Sequence, residues 1–454
     1  MNSKKQKWIA IGLGATLVIA ALGTGGAYVV REYGREGTAQ ESAIVFAPNP
    51  NSRQYGTDDQ IALLQARLKK DSEDFEANLA LSLQYLQKVR ETGDPSLYSK
   101  VEKLLDVAAK SGSKNPDYFA ARATLDLSRH NFASALDWAT QAVTADPERA
   151  RYHGVQADAL IELGQYDKAI EALQQMVDRR PEFSAYARIA YARELYGDPE
   201  GAVEAFTLAI DAGSSIPENL SWGYVQRGHL EFAMNHSDRA LADYESALTT
   251  LPGYPPALAG KARLAAAAGR TDEAIALYTT AFDRTPLAEY AISLGELYSA
   301  TGNALAAAKQ FDLVRAIDKL QSQNGVNTDL EIALFLADHG SDPSAAVARA
   351  RDAYRERPNV NAADALGWSL YQSGQYAEAE KYSTEALRLG TRDSLKLFHA
   401  GMIAKATGTQ DKAREYLFDA LRFNPSFSLI YSATAKETLT TLGGNLPAAA
   451  LAVR

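Results

Sequence analysis

The chain has 454 residues, 46% hydrophobic and 23% charged, with a net charge of −9 and no cysteine. It is too long for one compact core, and lacking thiols it excludes disulfides, cysteine nucleophiles, thiolate metal sites and lipid attachment at a cysteine. Acidic and basic residues interleave, as in Lys168–Glu171 and Arg349–Asp352, rather than forming the basic face that phosphate neutralisation demands, so no nucleic-acid partner is expected.

Lys4, Lys5 and Lys7 precede an apolar run from Trp8 to Val30, after which charge returns at Arg31 and Glu32. A run of about 20 residues spans a hydrocarbon core as a helix. The lysines place its N-terminal side in the cytoplasm. A cleaved signal peptide is the alternative, with Ile9–Leu22 as its apolar region and a cut after Ala27. The run continues through Tyr28, Val29 and Val30, which favours an uncleaved anchor over residues 1–30. Either reading exports the rest of the chain. Residues 31–57, with Pro48-Asn49-Pro50-Asn51, read as a flexible linker. Asp58-Asp59 then supply carboxylates for a helix start, and Ile61, Leu64 and Leu68 begin its apolar face. Residues 58–116 are expected to hold capping helices and an atypical first hairpin, Phe75–Thr92 with Pro95–Lys110.

Apolar residues recur at helical spacing from there almost to the end, predicting an all-α fold. Prolines at 147 and 181, and alanines at 240 and 274, recur about every 34 residues. One unit reads Tyr152-His153-Gly154 through Gly164-Gln165-Tyr166-Asp167-Lys168-Ala169 to Pro181, another Ala262 through Gly269, Ala274, Tyr278 and Ala281 to Pro286, and a third Gly401 through Gly408, Ala413, Leu417 and Ala420 to Pro425. Small residues such as Ala157, Ala190, Ala262 and Gly367 let two helices approach closely. The alanines at 135, 169, 202, 240, 274, 307, 346, 379 and 413 face them. Glycines at 164, 197, 269, 302, 374 and 408 end the first helix, and prolines at 116, 147, 181, 252, 286, 358 and 425 stop the second.

This pattern resembles the tetratricopeptide repeat (TPR) family from about Phe75 to Pro425. The resemblance implies a right-handed α-solenoid of about ten helix-turn-helix units, each touching only its neighbours. The array is expected over 117–425, a capping helix over 426–444 (Phe427–Leu442) and a frayed tail over 445–454. Ser184–Asp198, Gly325–Gly340 and Phe398–Ile403 are also similar to a widespread bacterial TPR family with an N-terminal export or anchor segment. That resemblance implies an interaction scaffold exported into the bacterial cell envelope, with a protein or peptide partner and no small-molecule substrate.

Irregular units are separate candidates. Gly213–Asn219 lengthens one loop, and Leu320–Asn327 replaces an expected proline. Polar residues gather beyond it: Asn324, Asn327, Asp329, Glu331, Asp338 and His339. Thr328-Asp329-Leu330-Glu331 matches a capping box, the bland alternative to a ligand site. The six histidines lie on separate units except His229 and His236, with no carboxylate constellation beside them. No phosphate loop, nucleophile elbow or paired-carboxylate pattern occurs, so catalysis, cofactor and metal are not expected. The resemblance places a concave groove on the first helices. Its candidate binding residues are Tyr191 with Glu194; Trp222, Val225, His229 and Phe232; Trp368 and Tyr371; and Leu395, Phe398 and Met402. Trp368, Tyr371, Phe398 and Met402 could form one apolar strip for a peptide or helix. The competing expectation is that such aromatics pack against the next repeat.

Overall fold

The computed structural model describes residues 56–452 apart from residue 341. The apolar run Trp8–Val30 and the linker as far as residue 55 lie outside the described residues. Among the described residues no helix is long and apolar enough to cross a membrane.

The described residues are all-helical, with 23 helices and no strand. A first helix, α1 (Thr57–Lys70), precedes ten helical hairpins. They are α2 (Phe75–Thr92) with α3 (Leu97–Gly112), α4 (Pro116–Ser128) with α5 (Phe132–Ala145), and α6 (Ala150–Glu162) with α7 (Tyr166–Arg179). Next come α8 (Phe183–Leu195) with α9 (Pro199–Ala212), α10 (Pro217–Ala233) with α11 (Ser237–Thr250), and α12 (Pro255–Ala267) with α13 (Thr271–Arg284). The last four are α14 (Ala288–Ala300) with α15 (Ala304–Gln323), α16 (Asp329–His339) with α17 (Pro343–Glu356), α18 (Val360–Gln372) with α19 (Tyr376–Ala386), and α20 (Ser394–Ala406) with α21 (Gln410–Phe423). The helices α22 (Ser432–Thr441) and α23 (Ala448–Ala452) close the chain.

The hairpins form for the reasons the spacing suggests. All nine alanines of the second helices are buried to 4% exposure or less, where any larger side chain would push the pair apart. The turn glycines at 164, 197, 269, 302, 374 and 408 have φ between 67° and 83°. Two units lack that glycine and hold His130 and Asn235 at φ 61° and 62° instead. Asparagine tolerates this region. His130 is held there by its ring nitrogen, 2.7 Å from the Asn327 carbonyl, and by stacking on Phe132.

That His130 contact belongs to a series. The turn inside an early hairpin meets the loop between two hairpins almost 200 residues later. The Asn327 amide donates to the Arg129 carbonyl at 2.9 Å. Asn359 Nδ2 donates to the carbonyl and the carboxylate of Glu162, each at 3.0 Å, and the Val360 amide donates to the Tyr166 hydroxyl at 2.9 Å. Arg392 pairs with Glu200 at 2.9 Å, and Asn424 Nδ2 donates to the buried Phe232 carbonyl at 3.0 Å. A Cβ on Gly164 would strike the Pro358 carbonyl oxygen, and one on Gly197 the Gly390 carbonyl oxygen. The sequence separations run from 192 to 198 residues. At about 34 residues per repeat, the array winds round in between five and six hairpins and touches itself. The expectation of strictly nearest-neighbour contact is therefore corrected: each middle repeat also has a partner on the next superhelical turn.

Smaller departures share that origin. Thr328 does not cap α16: its hydroxyl is drawn to Asp318 and Glu331 to Arg357, while Asn327 Oδ1 receives the Asp329 amide at 3.0 Å. The polar cluster of this insertion is thus a seam and ion-pair network rather than a capping box. Helix α15 runs on to Gln323, and Pro217 already starts α10, so both expected loops are shorter. Pro116 opens α4 rather than ending α3. The C-terminal helix begins only at Ser432. The tail, expected to be frayed, packs Leu446 and a buried Ala450 (4% exposed) onto the last core cluster.

Two substitutions separate local from long-range cohesion. Ala274→Leu overpacks one hairpin and should cost about 1–3 kcal/mol, with faster amide exchange around α13. Asn424→Ala removes one donor from the Phe232 carbonyl, which keeps the Asn235 amide at 2.9 Å, and should cost about 1 kcal/mol. Its faster exchange should reach both Asn424 and the Phe232–Asn235 turn, 192 residues away. Exchange confined to the neighbours of residue 424 would show that the seam carries no coupling.

Candidate functional site

The winding encloses a lumen, and within it lies a cavity of about 440 Å³. First helices of one superhelical turn supply Tyr191 and Glu194 (α8), His229 and Phe232 (α10) and Arg263 (α12); the next turn supplies Asn361 (α18) and the Asp393–Lys396 start of α20. Asp393 caps α20 by accepting the Leu395 and Lys396 amides at 2.9 and 3.1 Å, and its carboxylate also pairs with Lys396 Nζ at 3.0 Å. Burial opposes ionisation of this pair. Their mutual attraction outweighs it, holding the Asp393 carboxyl below its usual range and the Lys396 amine above its own.

The other lumen groups feel their enclosure more directly. Desolvation, reinforced by Asp393 and only partly offset by Lys396, pushes the Glu194 carboxyl up to about 7. Desolvation and the nearby Arg263 push His229 down to about 3, so it is neutral at physiological pH with Nδ1 2.8 Å from the Tyr244 hydroxyl. The Tyr191 phenol is pushed well above its usual value by burial and by the Glu162 and Glu194 charges, and it is hydrogen-bonded to Asn361. The Ser394 hydroxyl is buried with no hydrogen-bond partner. Among the described residues no three His, Asp or Glu side chains converge as a metal site would require.

The groove candidates divide. Tyr191, His229 and Phe232 line the cavity, with Glu194 and Leu395. Val225 is fully buried beside Tyr244, and Trp222 packs at 5.8 Å from Phe206. Trp368 and Phe398 are 2% and 1% exposed. The Trp368 indole donates to Asp338 at 2.7 Å and is stacked between Tyr371 and His399, while Phe398 stacks on Tyr431. Tyr371 and Met402 border the same cluster, together with Phe427, Tyr431 and Leu446 from the chain's own C-terminal segment. The apolar strip is therefore a core, covered by the end of the same polypeptide. Sequence reasoning did not find Arg263, Asn361, Ser394 or Lys396 as lumen residues. Nothing in a repeat's own pattern reports what the turn 192 residues away brings opposite it.

A raised carboxylate pKa ties stability to pH with a definite sign. Glu194 holds its proton more tightly in the folded chain, so its favourable contribution is complete below about pH 4.5 and is lost as pH rises through about 7. Glu194→Gln should remove this part of the decline. Denaturant midpoints of the variant and the natural chain, measured from pH 4.5 to 7.5, should converge at the acid end and separate towards neutrality, with the variant higher. Parallel curves would contradict the assigned shift.

Family models described as tetratricopeptide repeat match residues 120–182 and 155–215, and residues 231–297. The small glutamine-rich tetratricopeptide repeat-containing protein 2 of Saccharomyces cerevisiae is 28% identical over 100 residues, 22% of this chain and 29% of that protein. Tetratricopeptide repeat protein 36 of Bos taurus is 33% identical over 104 residues, 23% of this chain and 55% of that protein. The chain thus spans well under two thirds of either relative's length. The human IFIT1 dimer with PPP-AAAA, 15% identical, aligns over 81% of this chain and 90% of that one with a TM-score of 0.44. Repeat period, buried alanines, left-handed turns and matched segments agree: residues 120–215 and 231–297 are tetratricopeptide repeats.

Proposed function

We propose that this protein is an interaction scaffold that captures a segment of a partner protein in its lumen, on the exported side of a membrane to which residues 8–30 anchor it. The family's repeats serve as protein-interaction scaffolds, which supports the general class. The observation that carries the specific reading is the lumen cavity of about 440 Å³, where Tyr191, His229 and Phe232 meet polar groups of the next superhelical turn. Ligand sites have volumes of roughly 300–1,000 Å³ and combine apolar walls with a few placed polar groups. The side chains there bind and orient; among the described residues of the cavity no nucleophile, base and orienting group stand together as acyl or phosphoryl transfer would need.

A photoreactive side chain at Tyr191 should cross-link to a discrete partner, whereas one at the exposed Leu305 should not, and His229→Trp, which fills the cavity, should abolish the Tyr191 adduct. Adducts from Leu305 with none from Tyr191 would instead make the chain an accessory subunit docked through its outer surface. The anchor is supported by the Trp8–Val30 run and the preceding lysines. Carbonate washing should leave the chain in the membrane, and protease added outside should digest everything after Arg31. A shortened soluble chain beginning at Tyr28 would show a cleaved signal peptide.

A further inference from the structure

We propose that copies of this chain stack head to tail, the hairpin turn Gly374-Gln375-Tyr376 of one copy docking on the Arg180-Pro181-Glu182 loop of the next. The inference concerns the outer edges of the superhelix and is independent of what the lumen captures. In each hairpin the turn between the two helices and the loop that follows them lie at opposite ends of the helix pair. The seam joins turn ends of the first five hairpins to loop ends of the last five. Thr285, Arg357, Asn359 and Asn424, on those loops, are all buried. A Cβ on Gly93, Gly164 or Gly197 would meet the opposing loop at 3.0 Å or less. The other two edges are open among the described residues. Gly269, Gly302, Gly374 and Gly408, in the turns of four of the last five hairpins, have nothing within 4 Å of a Cβ position. Lys114, Glu148 and Arg180, in the loops after the first three hairpins, are exposed.

One pair of open ends repeats the chemistry of the seam. Gly164-Gln165-Tyr166 and Gly374-Gln375-Tyr376 are the same tripeptide in the same turn, with φ 67° and 79° at the glycine. In the seam the first packs against Arg357-Pro358-Asn359-Val360. Gly164 lies against the Pro358 carbonyl, and Tyr166, 5% exposed, accepts the Val360 amide at its hydroxyl at 2.9 Å. The second tripeptide is open, with Tyr376 43% exposed. A matching loop is also open. Arg180-Pro181 follows α7 as Arg357-Pro358 follows α17, the two arginines ending their helices at φ −151° and −136°. Phe183 begins α8 as Val360 begins α18, so its amide holds the place of the one that meets a tyrosine hydroxyl in the seam. The flanking residues trade roles. Asn359 Nδ2 donates to the Glu162 carboxylate in the seam. At the open ends Glu182 stands in place of the asparagine and the exposed Gln372 in place of the glutamate, so donor still faces acceptor. The two open edges are thereby complementary, and a second copy would also take the Tyr376 ring out of water.

A contact between unlike edges propagates along the superhelix axis instead of closing a pair. Sedimentation velocity of the full-length chain in detergent should therefore show species of three or more copies as concentration rises. Tyr376→Ala or Gln372→Ala should weaken that association about tenfold or more, as loss of a central interface side chain does. The natural chain has no cysteine, so copies bearing Gln372→Cys can be mixed with copies bearing Glu182→Cys. Under mild oxidation the mixture should give a disulfide-linked dimer, neither variant alone should, and a chain carrying both substitutions should give a ladder. Dimers from Gln372→Cys alone would show like edges meeting and overturn the head-to-tail contact. A natural chain that stays monomeric at every concentration, or association indifferent to both alanine variants, would overturn it as well. A photoreactive side chain at Tyr376 that labels a different protein and never a second copy would assign the edge to that protein instead. Adducts between copies have twice the chain's mass, which keeps these outcomes apart from the Tyr191 test of lumen capture.

Discussion

The arrangement of this molecule depends on the seam where one superhelical turn meets the next. Backbone groups in the hairpin turns and inter-hairpin loops are shielded from water there, and shielded amides and carbonyls need partners. Asn327, Asn359 and Asn424 recur along the seam, each contributing a backbone or side-chain donor, to Arg129, Glu162 and Phe232 respectively. An asparagine amide suits the position because it can donate to a carbonyl while its own oxygen turns back to a local amide. Asn359 does both, accepting from the Asn361 and Ala362 amides at 3.0 and 2.8 Å. The seam has an electrostatic component as well. Arg357, buried over the Phe132 ring, pairs with Glu331 at 3.1 Å and lies 4.0 Å from Glu162, whose carboxyl burial pushes up to about 6 despite that arginine.

Because the turns touch, the inner faces of the first helices enclose a lumen instead of an open trough. This changes the meaning of every residue on those faces. His229 stands among protein groups there, and desolvation with the nearby Arg263 holds its imidazole well below the usual range. Enclosure also separates the aromatic positions. Tyr191 and Phe232 line a cavity and Trp222 packs on Phe206, whereas Trp368 and Phe398 lie where the C-terminal segment folds back. There Tyr431 donates at 2.6 Å to the Asp338 carboxylate that also receives the Trp368 indole.

A solenoid closed on itself also differs energetically from an open one. In an open array stability is close to a sum of repeat and nearest-neighbour terms. Here hydrogen bonds and ion pairs link residues 192 to 198 positions apart, so loosening one repeat exposes polar groups on another far along the chain.

The sequence by itself determined the hairpin. A period of about 34 residues, alanine where two helices touch, glycine where the chain must turn left-handed and proline beyond the second helix are local demands, and each is met by residue type alone. His130 and Asn235 mark the limit, since they take the left-handed position without glycine, and a tertiary partner holds the first of them. Which residues face each other across the lumen was decided only by the tertiary structure. Superhelical pitch is the accumulated result of small rotations at every hairpin junction, and no single repeat encodes it. Thr328 illustrates the consequence: its neighbours spell a helix cap, but the folded chain brings Asp318 and Arg357 close enough to redirect the Thr328 and Glu331 side chains. Glu194 likewise reads as an ordinary helix-surface charge until the next turn brings Asp393 and Lys396 near it, because that proximity is a property of two segments and the sequence of either contains only one.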